Sequence, residues 1–151
     1  MIDFVDTRPW PLVELHMPAV IPDDRAADYL AAYAALFARD ERFVLLMGGV
    51  EAPQHSPAFM AAYLAWGEAN RALQRRWCAG AIRIERDPIV RQRIEARARA
   101  WHAAGKAPYP IATAPDRAAA RVQGRAWLND HELQAPGLFS PGAHDRCHVA
   151  H

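Results

Sequence analysis

Eight residues at the end of the chain, HDRCHVAH (144–151), hold three histidines, a cysteine and an aspartate. Imidazole nitrogen and thiolate sulfur are the donors of zinc and iron sites. His144, Cys147, His148 and His151 recur at i, i+3, i+4 and i+7, the spacing that lines one face of a helix. Capture of zinc or iron is the chemistry this segment suggests. A short helical stretch seldom gives four ligands to one ion, so His131, Glu132 and His16 are the further donors to consider. The competing reading is a loose terminus with chance histidines.

A second set of polar groups lies in GGVEAPQHS (48–56), directly after the apolar run Phe43–Met47. Open α/β sheets take ligands outside the carboxyl ends of their strands. Glu51, Gln54, His55 and Ser56 are therefore the ligand-binding candidates. Ser56 beside His55 could be a nucleophile or a phosphosite, but adjacent residues seldom orient as a nucleophile and its base. The following Pro57 makes Ser56 read first as a helix cap.

The third feature is charge. The chain has a net charge of +1, with 17 arginines and a single lysine, Lys106. Between Arg75 and Arg99, eight arginines oppose Glu85, Asp87 and Glu95, leaving that segment at +5 and the rest at −4. Arg91, Arg93 and Arg97 are the candidates for docking an acidic partner; the alternative is a solvated face with local pairs such as Arg91–Glu95. Near-zero total charge and the lack of a groove-binding motif argue against nucleic acid.

These groups need a scaffold. At 151 residues, about half apolar, the chain is long enough for one domain with a real core. No run approaches a membrane span. Two cysteines, Cys78 and Cys147, imply no disulfide framework, and the expected compartment is the cytosol. Residues 2–5 and 11–17 read as a hairpin. Asp23 and Asp24 open a helix striped by Ala26, Leu30, Tyr33, Leu36 and Phe37. Phe43–Met47 reads as a strand covered on both faces. A helix is expected from Ser56 to Trp77, a strand over 81–85, and a helix opened by Asp87-Pro88. A short strand over 109–113 and a helix opened by Asp116 follow. The aromatics on these helices, Tyr63 and Trp66 among them, read as core. Periodicity stops at Leu128, so the expected organisation is a domain over 1–128 and an irregular tail over 129–151.

The order ββαβαβαβα implies an α/β domain with a mixed, mostly parallel sheet. With the closing segment APDRAAARVQGRAWL (114–128), an alanine-rich helix ending in Trp-Leu, it resembles the STAS-like (SpoIIAA-like) domain of anti-sigma-factor antagonists. That resemblance spans residues 1–128. It implies a Ser or Thr phosphosite near the helix after the third strand; here Ser56 is the only hydroxyl there, and the family's Asp-x-Ser pattern is missing. The expectation is a non-enzymatic regulatory or protein-interaction module of a bacterial cytosol, docking a partner protein and able to form a homodimer. The alternative is a small metal- or ligand-binding enzyme or accessory subunit of a biosynthetic pathway, using the tail or the loop after the third strand.

Overall fold

A computed structural model describes the backbone of residues 4–143 and the side chains of residues 4–130. Five strands form one sheet in chain order. β1 (Val5–Asp6) pairs antiparallel with β2 (Leu12–Met17). β2, β3 (Phe43–Gly49), β4 (Cys78–Ile84) and β5 (Ile111–Ala114) then run parallel. The expected α/β class and mostly parallel sheet are what the chain adopts. Among the described residues, no helix is long and apolar enough to cross a membrane.

The apolar run of β3 has no alternation because both faces are buried. Phe43 and Leu45 enter one core; Val44 and Leu46 enter the other. The first core lies under α1 (Ala26–Phe37), α2 (Pro57–Ala69) and α3 (Arg71–Trp77). Tyr33 and Phe37 fill its centre, with Tyr63 and Trp66 against Tyr33 at ring-centroid distances of 5.3 and 5.5 Å. These four aromatics are core, as their spacing suggested, whereas Trp101, expected to pack as core with them, is 49 % exposed. The second core is covered by α5 (Arg117–Ala143), through Ala120, Trp127 and Leu128. α4 (Pro88–Ala103) packs beside β5.

Helix starts follow local chemistry in two places. Asp87 accepts a hydrogen bond from the Ile89 N–H at 2.9 Å, capping α4 ahead of Pro88. Asp116 does the same for the Ala119 N–H at 2.8 Å. The acidic pair Asp23–Asp24 opens a 3-10 turn, Asp23–Arg25, before α1 begins. The single helix expected over 56–77 is instead two. Asn70 leaves helical geometry, with φ −117° and ψ 33°, and its side chain donates to the Trp66 carbonyl. An asparagine that bonds its own preceding turn competes with helix continuation.

β4 carries one extra residue opposite β3, since Phe43 pairs with Cys78 but Val44 with Gly80. Gly80 lies under the six-membered ring of Trp127, leaving no room for a side chain. Gly80→Ala should therefore cost about 2 kcal/mol or more through overpacking, read as a lower chemical-denaturation midpoint at unchanged slope.

Candidate functional site

β3 and β4 both end at the same rim of the sheet, and the loops leaving them carry the polar candidates. The β3–α2 loop is held from several sides. Arg83, near the end of β4, donates through Nη1 to the carbonyls of Val50 at 3.2 Å and Gly48 at 3.5 Å. Its Nη2 donates to the Gly49 carbonyl. The Val50 N–H reaches the Met17 carbonyl at 3.0 Å, and the Gln54 N–H reaches Ala19 at 2.7 Å. Gly49 has φ +78° and lies so close to Met17 that a side chain would collide with its backbone.

Ser56 closes the loop at the N-cap position of α2, as expected, but its hydroxyl makes no capping hydrogen bond. It is only 3 % exposed. Its Oγ accepts from the Ile21 N–H at 2.7 Å and donates to the Gln54 carbonyl at 2.9 Å. The hydroxyl ties two loops together, 35 residues apart in sequence. It is engaged in structure, facing away from solvent where a kinase or substrate would have to meet it. His55 holds a left-handed φ of +50° and is exposed, as are Gln54 and Glu51.

The arginines of α4 divide into different roles. Arg91 Nη1 donates to the carbonyls of Glu85 at 2.9 Å and Arg86 at 2.8 Å, fastening the β4–α4 loop. The expected Arg91–Glu95 pair is not formed: Glu95 instead accepts from the Thr113 hydroxyl. Arg97 pairs with Glu51, so α4 meets the β3–α2 loop through two of the candidate residues. Arg93 is exposed, and among the described residues no ion pair holds it.

Among the described residues, the one thiol and three of the phenols lie in the core. Cys78 is buried and its thiol is pushed up to about 12 by loss of solvent. Burial likewise raises Tyr33, Tyr63 and Tyr109. Tyr33 stands 3.4 Å from Gln74 Oε1. On the surface, Arg8 donates to both carboxylate oxygens of Asp6 at 2.9 and 2.8 Å and lowers it to about 2.

His144, Cys147, His148 and His151 lie outside the described residues, and so does any zinc or iron they would hold. The side chains of His131 and Glu132 are outside them too. His16 is exposed on β2, with Nδ1 facing Gly48. Among the described residues, no group of three or more His, Cys, Asp or Glu could hold a metal ion. The Arg83 clamp, which organises the whole loop, was missed in sequence; its signal was a lone arginine in an otherwise apolar strand, CAGAIRI. No family model, curated protein or solved structure matches the chain.

Two outcomes follow from these placements. Ser56→Ala leaves the buried Ile21 N–H without its acceptor and should cost about 1–3 kcal/mol in urea unfolding. Cys78 should resist a thiol reagent at pH 8 until denaturant is added. The same burial sets an alkaline limit. The folded thiol and phenols titrate above their unfolded values, so their stability contribution is intact below about pH 9. It falls as pH rises toward the folded thiol value of about 12, measured as a falling urea midpoint.

Proposed function

We propose that this chain is a STAS-like, non-enzymatic regulatory module of a bacterial cytosol that docks an acidic partner protein. The docking surface comprises the β3–α2 loop and the exposed arginines of α4. The observation that carries the reading is the Arg97–Glu51 ion pair, which makes the two candidate regions one continuous surface at the carboxyl rim of the sheet. The sheet in chain order, with an antiparallel β1 at its edge, supports the family resemblance.

The physics of the pair suits exchange. Both side chains are well exposed, at 64 and 46 %. Exposed pairs contribute little, about 0–1 kcal/mol. A partner's carboxylate can therefore replace Glu51 on Arg97 at small cost, with Arg93 one turn away on α4 adding a second cation. The backbone beneath does not need to move, because Arg83 and Ser56 hold the loop through internal hydrogen bonds. Such preorganisation lowers the entropy lost on binding. Arg91 belongs to the scaffold rather than to the docking face, since its guanidinium is spent on two carbonyls.

Affinity capture from a lysate of the source cells tests this, with stoichiometry read by native mass spectrometry. Arg93→Glu with Arg97→Glu should abolish the captured partner while leaving the thermal midpoint within a few degrees. Glu51→Gln, which frees Arg97, should retain or strengthen it. Equal capture by wild type and the double variant would remove α4 from the interface.

A further inference from the structure

β5 is the outermost strand of the sheet on its side. The Ala81 N–H donates to the Pro110 carbonyl and the Glu85 N–H to the Ala114 carbonyl. Even-numbered residues of β5 therefore face β4. By strand alternation, the N–H and C=O of Ile111 and Thr113 face outward. Among the described residues no strand pairs with that edge.

Proteins normally guard such edges with charge, proline, bulges or short length. The opposite edge is guarded: β1 has two residues, an Asp6–Arg8 ion pair, and Pro9 and Pro11 directly behind it. β5, with the sequence IATA, has no charge and no internal proline. Pro110 and Pro115 bracket it and confine the open edge to four residues.

Beside this edge runs an open groove of about 370 Å³, lined by Ile111 and Ala112 and by Glu95, Ala98, Arg99 and His102 of α4. The four α4 positions recur at i, i+3, i+4 and i+7, so one face of the helix looks onto the strand. The only acid there, Glu95, already accepts from Thr113. Arg99 has no ion pair among the described residues. The groove thus offers a main-chain ladder beside the Arg99 guanidinium, with the Glu95 carboxylate turned to Thr113.

We propose that the β5 edge and the α4 groove receive an extended acidic segment of a partner protein, added as a sixth strand, with a carboxylate on the Arg99 guanidinium. Strand addition draws affinity from main-chain hydrogen bonds and specificity from side chains on alternate positions. Only two residues of β5 face outward, so the ladder is short and the charge contact selects the partner. The proposal deepens the docking reading and rests on it for the partner's protein nature and acidity. Its groove lies on a different flank of α4 from Arg93 and Arg97.

The test uses the full chain, labelled with nitrogen-15, and short synthetic peptides alternating valine with glutamate or valine with lysine. The glutamate peptide should slow hydrogen exchange of the Ile111 or Thr113 amide by about tenfold or more. The lysine peptide should not, and Arg99→Glu should reverse that preference at unchanged thermal midpoint. A glutamate peptide N-methylated at alternate residues keeps its charge but loses the ladder, and should not bind. Equal binding of the methylated peptide, or no protection of either amide, overturns the strand addition. Binding mapped instead to residues 50–56 and Arg93 overturns it while leaving the docking reading intact. If neither peptide binds, the edge proposal fails, and capture by Arg93 and Arg97 decides the docking reading separately.

Discussion

The helical layer depends on how a tyrosine is buried. The Tyr33 ring is enclosed by Phe37, Tyr63 and Trp66, all within about 5.5 Å between centroids. Such contacts need ring area out of water, but a phenol taken inside must keep a hydrogen-bond partner. Gln74 supplies one, and an amide in a core has its own needs. Its Nε2 donates to the Gly67 carbonyl at 3.0 Å. Gly67 lies just before the break at Asn70, where helical bonding is interrupted. The break between α2 and α3 and the buried phenol–amide network are therefore one device.

The rim of the sheet follows a similar logic with a guanidinium. Arg83 has five donors and meets carbonyls rather than a carboxylate, and its Nε is buried without a hydrogen-bond partner. Partial burial of a cation is costly unless its neighbours are strongly polar. The successive carbonyls of Gly48, Gly49 and Val50 provide that dipolar surface, because Gly49 turns the chain through a left-handed conformation. The loop owes its shape to this arrangement and to the Ser56 hydroxyl. Its exposed side chains thus start from a fixed backbone.

These same interactions mark what was legible in sequence. The run FVLLM, the aspartate caps before Pro88 and Arg117, and the aromatic stripe each encode their role within a few residues. All appear as expected. Ser56-Pro57 carries the same local signature as a cap, yet the hydroxyl goes to Ile21. That competitor is near in space and distant in sequence, so local pattern could not reveal it. The Arg91–Glu95 spacing suits a helical pair, but two free carbonyls at the β4–α4 turn hold Arg91 and a β5 hydroxyl reaches Glu95. Side-chain partners of charged residues were settled by tertiary packing. The docking candidates were legible as residue types; their grouping through Arg97 and Glu51 was not.

Charge asymmetry is likewise a product of the fold. On the α5 side, Glu14 of β2 takes both Arg117 at 3.2 Å and Arg121 at 3.1 Å, and its side chain is 21 % exposed. Those arginines are one turn apart, so a single carboxylate meets one face of α5, while packing on the second core holds its rotation. Correct rotation matters because Gly124 must face Leu12 and Val44, and Trp127 must cover Gly80. Those two cations are paired with Glu14. α4 has a smaller packing task, with Ile94 and Ala98 its buried residues. With Arg91 fastening the β4–α4 loop, Arg93, Arg97 and Arg99 are left to the surface, between the rim loop and the open strand edge.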